Sequence, residues 1–141
     1  MTMPELYQLG QILLAIILGA ILGWQRERWG KSAGPRTYAL VTGGAALFTI
    51  LSKHGFETSQ GVIAAQIVTG IGFLGAGTIL HKSNHIEGLT TAAGLWMTAA
   101  IGMAVGLCYF FLAVGATILS LIILMIDDHK LRVARHPLKN K

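Results

Sequence analysis

The chain alternates long apolar stretches with short polar connectors. Residues 6–24, 37–51, 62–80 and 89–126 contain no Asp, Glu, Lys or Arg. A membrane-spanning helix needs about 20 predominantly apolar residues. Each of the first three stretches therefore predicts one transmembrane helix, and the second is so short that it must cross with little tilt.

The last apolar stretch is too long for a single span. As one straight helix it would measure about 57 Å at 1.5 Å per residue, whereas the hydrocarbon core of a bilayer is about 30 Å thick. We therefore predict two helices joined by a tight turn near Gly106, Leu107 and Cys108. The sequence thus predicts an all-α, polytopic membrane protein with about five transmembrane helices.

The amount and placement of charge support this interpretation and orient the chain. Only 12% of the residues are charged and the mean hydropathy is +0.62, whereas soluble domains carry about 25% charged residues. Five spans place nearly all Lys and Arg on one side, with Lys53 on the other, and the positive-inside rule makes the basic side cytoplasmic. The N-terminus is then outside and the C-terminus cytoplasmic. We expect a transmembrane helical domain over residues 1–126 and a short basic cytoplasmic tail over 127–141.

The same distribution bears on partners. Basic residues at the cytoplasmic edge of a membrane domain act as an orientation signal and contact anionic lipid. The net charge of +5 therefore indicates the lipid bilayer as a partner and not nucleic acid.

Small residues recur at helical spacing within the apolar stretches. Helices in lipid associate through small residues that let their backbones approach. Residues 70–75 spell GxGxxG, but a dinucleotide fingerprint requires a strand followed by a helix, so we interpret this motif as a packing face. The predicted packing residues are Gly19, Gly23, Gly70, Gly72, Gly75, Gly77, Gly102 and Gly106.

Four polar residues at membrane depth are candidates for function, namely Gln66, Thr69, Thr90 and Thr91. Threonine in a helix usually bonds back to the preceding turn. A primary amide has more donors and acceptors than one turn can satisfy. We therefore expect Gln66 to reach another helix or a water-filled space.

A second group of candidates lies at the cytoplasmic edge: Arg26, Glu27, Arg28, Lys31 and Arg36. Glu27 is the only acid among them. It either forms an ion pair with Lys31 or Arg36 that ties the first two helices together, or it serves as a ligand for a cation or a contact for a partner.

The sequence predicts no enzyme and no resident cofactor. It contains no pairing of a nucleophile with a base and no obvious cluster of metal ligands. We consider Mg²⁺ only as a bound ligand or a transported substrate. Such binding is compatible with the few acids of the chain, because Mg²⁺ often needs only one or two carboxylates from the protein. The residues that would hold a metal are not assigned.

Three motifs resemble a known family, the membrane domain of the MgtC/SapB proteins. They are residues 26–37 (RERWGKSAGPRT, preceded by Gly19 and Gly23), residues 64–77 (AAQIVTGIGFLGAG) and residues 88–102 (GLTTAAGLWMTAAIG). The resemblance covers residues 9–126. It implies a multi-pass protein of the bacterial inner membrane, linked to magnesium homeostasis and, in pathogens, to virulence. Two departures are Gln25, where many relatives have Glu, and the short tail, where longer relatives have an ACT-like soluble domain.

The resemblance implies two alternative functions. The better-studied members look like regulators of other membrane proteins, the ATP synthase among them, and we expect this chain to act in that way. The alternative is a direct transporter or channel for Mg²⁺ or another ion. We expect a homo-oligomer, and in the transport alternative the oligomer would build the pathway.

Overall fold

The fold is known from a computed structural model that describes residues 3–55, 60–82 and 85–126. It contains five helices, as predicted, and one short hairpin. The helices are α1 (Met3–Arg28), α2 (Pro35–Gly55), α3 (Gln60–Gly77), α4 (Leu89–Gly106) and α5 (Phe110–Leu124). The hairpin consists of β1 (Leu80–Lys82) and β2 (His85–Glu87). The predicted tail, residues 127–141, lies outside the described residues.

Helices α1, α2 and α4 form the centre of the bundle. The largest fully buried side chains in it are Tyr38, Leu22, Leu95 and Ile101. Helix α3 packs mainly on α4, and α5 packs on α4 and α1. The C-terminal ends of α1, α3 and α5 lie at the same end of the bundle as the start of α2 and α4, as contacts between residues at these ends show.

The turn between α4 and α5 is where the length argument predicts it. Helix α4 ends at Gly106 and α5 begins at Phe110. Cys108 has a φ of 68°, a left-handed conformation that reverses the chain within three residues. By length and hydropathy, α1 and α4 are each sufficient to cross a membrane, while α3 and α5 are shorter apolar helices.

The connection between α3 and α4 differs from the prediction. The third apolar stretch was expected to be helical to residue 80, but α3 ends at Gly77 and Leu80 begins an antiparallel pair in which it faces Glu87. Gly88, the N-cap residue that precedes α4, has a φ of 89°, and a Cβ at this position would overlap the carbonyl group of Thr78. The helical class stands, with this hairpin as an addition to it.

Candidate functional site

Arg26, in the last turn of α1, is the most unusual residue of the cytoplasmic-edge candidates. Its side chain is only 3% exposed. Nη2 donates a hydrogen bond to the hydroxyl of Thr91 in the first turn of α4 (3.3 Å), and Nε has no hydrogen-bond partner. The Tyr38 hydroxyl of α2 lies close enough to the guanidinium to interact with it electrostatically, but no hydrogen bond of good geometry joins them. The junction of α1, α2 and α4 therefore contains a buried cation among neutral polar groups.

The other four cytoplasmic-edge candidates have exposed side chains. The guanidinium of Arg28 lies over the ring of Trp24, 4.6 Å from its centroid. Glu27 lies beside Gly34, where its Oε1 would be 3.6 Å from an added Cβ. In the described residues, Glu27 forms no ion pair with Lys31 or Arg36, which was one of the two roles considered for it. Glu27 thus remains exposed to solvent or to a partner.

The four polar candidates at membrane depth do not converge. Thr91 is buried with Arg26, and Thr90 is exposed one residue before it. Gln66 and Thr69 lie on the exposed face of α3, where Thr69 donates to the carbonyl of Ala65 (3.0 Å). The structure consequently places two of them at the Arg26 junction and two on the outside of the bundle.

Four of the predicted packing glycines lie at close helix contacts. A Cβ added to Gly19 would be 2.6 Å from the carbonyl oxygen of Tyr38, and one added to Gly23 would be 2.5 Å from the Cα of Pro35. Gly102 lies against the Thr42 carbonyl, and Gly106 would place a Cβ 2.8 Å from the carbonyl oxygen of Ala46. These glycines allow the backbones of α1, α2 and α4 to touch.

The glycines of α3 behave differently. Gly75 is near Ala92, with an added Cβ 3.6 Å from the Ala92 Cβ. Gly70, Gly72 and Gly77 would each place a Cβ in open space, with no other heavy atom within 4 Å. Among the described residues, no neighbouring helix lies against these three glycines, so their role in helix packing stays a prediction.

Sequence reasoning missed two glutamines that join helices. Gln11 is 5% exposed, and its Nε2 donates to the carbonyl of Val105 (2.8 Å) and lies 3.3 Å from the sulfur of Cys108. Gln25 donates to the carbonyl of Leu124 (2.7 Å) and so ties the end of α1 to the end of α5. The sequence did contain a signal for Gln11, because a primary amide within an apolar stretch indicates a hydrogen bond to another helix.

Comparison with known proteins gives the family. The sequence profile of the MgtC family matches residues 12–132. The chain belongs to the MgtC family. It is 49% identical over 110 residues to the protein MgtC of Salmonella typhimurium strain LT2, covering 78% of this chain and 48% of that protein.

Two further relatives show how much of a longer family member this chain covers. The chain is 47% identical over 122 residues to YhiD of Escherichia coli K12, whose name describes it as a candidate magnesium transporter, covering 80% of this chain and 56% of YhiD. It is 42% identical over 123 residues to an uncharacterized protein of Haemophilus influenzae, covering 79% and 52% respectively. The MgtC-family chain thus spans about half the length of these relatives. No solved structure matches it.

The described residues of this MgtC-family chain contain no group of three or more His, Cys, Asp or Glu side chains that could hold a metal ion. Chemistry at the Arg26 junction rests instead on a buried guanidinium and on hydroxyl groups. This arrangement suits the binding of an anion or of a hydrogen-bonding partner.

Proposed function

We propose that this chain is a five-span inner-membrane protein, with its N-terminus outside, that takes part in magnesium homeostasis by regulating another membrane protein. Its relationship to MgtC and to YhiD supports the link to magnesium. The positive-inside distribution of Lys and Arg supports the orientation. The regulatory role rests on the outer face of α3.

The exposed face of α3 is suited to contact another membrane helix. Gln66, Gly70, Phe73 and Gly77 follow one another at spacings of four, three and four residues, so they lie on one side of the helix. Phe73 is 83% exposed, and the glycines on either side of it leave hollows. In lipid, a polar amide and small residues are the groups that hold helices together. A partner helix would satisfy Gln66 and fill the hollows, whereas lipid tails would leave the amide without hydrogen bonds.

Direct transport is the second candidate function. It is supported by the name of YhiD and by Glu27, which is exposed beside Gly34 at the edge of the bundle. A pathway within one chain would have to pass through the contacts of α1, α2 and α4, where Gly19 and Gly102 bring the backbones together. A pathway between copies, lined by Gln66 and Thr69, is the form of this alternative that the exposed face of α3 favours.

A flux measurement separates the two functions. The purified protein is reconstituted in liposomes that contain a Mg²⁺-sensitive dye, and Mg²⁺ is added outside. We expect no flux above that of empty liposomes, with insertion verified by protease protection. Flux that is lost in Glu27→Gln or Gln66→Leu would overturn the regulatory proposal in favour of transport.

A growth assay tests the α3 face itself. Gly70→Leu fills an open position on α3, and Gly115→Leu fills an equally open position on α5. We expect Gly70→Leu to abolish complementation of a strain that depends on this protein in low magnesium, and Gly115→Leu to retain it, with both variants present at normal levels in the membrane. Equal growth of the two variants would contradict a role for this face.

A further inference from the structure

The contacts within the described residues do not fully explain the burial of Arg26. Removing a charge from water is costly unless it is paired and hydrogen-bonded. The guanidinium carries five N–H donors. Its Nη2 donates to a neutral hydroxyl at the long distance of 3.3 Å, and its Nε has no hydrogen-bond partner in the part of the chain that the structure describes. Tyr38 is fully buried, and its hydroxyl lies near the guanidinium without a hydrogen bond of good geometry to any described residue. Two adjacent helices thus direct unpaired polar groups to the same point.

The electrostatic setting of that point is positive. Thr91, the partner of Arg26, lies in the first turn of α4, and the first turn of a helix has the positive end of the helix dipole. Gly88 at the N-cap provides no side-chain hydrogen bond to this turn. The C-terminal end of α1 partly offsets the charge of Arg26, because its last carbonyl groups are negative. The remaining positive potential and the unpaired donors of Arg26 and Tyr38 both favour the binding of an anion.

We propose that the junction of α1, α2 and α4 binds a phosphate-type oxyanion through the guanidinium of Arg26 and the hydroxyl of Tyr38, at the N-terminal end of α4. Arginine matches such an anion with two parallel hydrogen bonds, and helix N-termini are common anion sites. This site is separate from the α3 face. It rests on the proposed membrane orientation but not on the proposed regulatory function.

The position of the site allows two sources of the anion. Leu89 and Thr90, which start α4, are exposed, so the first turn can be reached from the surface. At the cytoplasmic edge of a bilayer, the phosphate of an anionic lipid headgroup lies at this depth, and inorganic phosphate reaches the same edge from the cytoplasm. Among the described residues, the acids Glu27 and Glu87 are less suited to the role, because Glu27 lies against Gly34 and both side chains are exposed.

Two measurements on the purified full chain test the site and distinguish the sources. In a neutral detergent, thermal unfolding is followed as inorganic phosphate replaces chloride at constant ionic strength. In nanodiscs of phosphatidylcholine with and without phosphatidylglycerol, native mass spectrometry determines whether phosphatidylglycerol stays bound to the released protein. Saturable stabilisation by phosphate indicates a free anion, and a retained phosphatidylglycerol indicates a headgroup. Either result supports the site if replacement of Arg26 weakens the binding.

Three substitutions test whether binding depends on the residues of the proposed site. Arg26→Gln should weaken binding by about tenfold or more, as expected for the loss of a charge-assisted hydrogen bond. Tyr38→Phe, which keeps the ring and removes only the hydroxyl, should weaken it by about two- to tenfold. Arg36→Gln removes an equal charge from the exposed edge and should change binding by less than about twofold, since exposed charges are screened.

Three results would overturn the proposal. The first is no stabilisation by phosphate together with no retained phosphatidylglycerol in the wild-type protein. The second is an equal loss of binding in Arg36→Gln and Arg26→Gln, which would show that the anion is attracted by the basic surface in general and not by this site. The third applies if Arg26→Gln does not fold, in which case unchanged binding in Tyr38→Phe excludes the site.

Discussion

The side-chain amide of Gln11 donates a hydrogen bond to the main-chain carbonyl of Val105 across the interface of α1 and α4, at 2.8 Å. Gln11 comes from the first half of α1, and Val105 is next to the last residue of α4. At the opposite end of the same interface, Arg26 meets Thr91. Polar contacts therefore fix the two helices at both ends of their interface.

Replacing Gln11 by leucine should destabilise the bundle. Leucine is similar in size to glutamine but cannot form the buried hydrogen bond. Losing such a bond costs about 1 kcal/mol of unfolding free energy in a folded protein and about 0.6 kcal/mol on average between membrane helices. Unfolding in mixed micelles with increasing denaturing detergent measures this loss. The matched control is Gln66→Leu, because Gln66 is exposed on α3 and its replacement leaves the single chain's contacts unchanged. A larger loss for Gln66→Leu in the monomer would contradict the assignment.

Gly102→Ala should be among the most damaging small substitutions. Its Cβ would overlap the Thr42 carbonyl group and lie 2.9 Å from the Cβ of Ala45, so α2 and α4 would have to separate. Overpacking of this kind costs about 1–3 kcal/mol. The control is Gly115→Ala in α5, which places its Cβ in open space and gains helix propensity. The same mixed-micelle unfolding experiment should show a loss for the first variant and none for the second. Equal stability of the two variants would contradict the close contact.

The five helices could be predicted because four uninterrupted apolar stretches encode them, the last of which is long enough for two helices. The division of residues 89–126 followed from bilayer thickness alone, and the turn at Cys108 lies where that argument places it. The hairpin could not be predicted in the same way. Its strands, Leu80–Lys82 and His85–Glu87, have three residues each, which is too short for an alternating pattern to be recognised.

The candidate site was predicted only in part because burial depends on tertiary contacts. Arg26 was identified as a cytoplasmic-edge residue, and long basic side chains at helix ends usually extend to the interface. Its guanidinium is buried instead because α4 begins directly beside it, with Thr91 as its partner. Likewise, GxGxxG indicated helix packing, but the pattern cannot tell which face of α3 meets α4.

Gln25→Glu tests the tie between the ends of α1 and α5. The Gln25 amide donates to the Leu124 carbonyl at 2.7 Å, and an ionised glutamate of the same shape can only accept hydrogen bonds. We expect the variant to lose about 1–2 kcal/mol at neutral pH, with the carboxylate facing a carbonyl oxygen. Thermal unfolding of the purified protein measures the loss. Gln25→Met, which also cannot donate, should lose a similar amount, and wild-type stability in both variants would show that the bond contributes little.

The orientation of the chain is tested by labelling single cysteines. Ser32, between α1 and α2, and His54, at the end of α2, are both exposed and lie at opposite ends of the bundle. In a Cys108→Ala background, a membrane-impermeant maleimide added to intact spheroplasts should label His54→Cys and leave Ser32→Cys unmodified until the membrane is opened. Detergent should make both equally reactive, which controls for local accessibility. Labelling of Ser32→Cys alone in intact spheroplasts would reverse the proposed topology and would place Arg26 and the N-terminal end of α4 outside the cytoplasm.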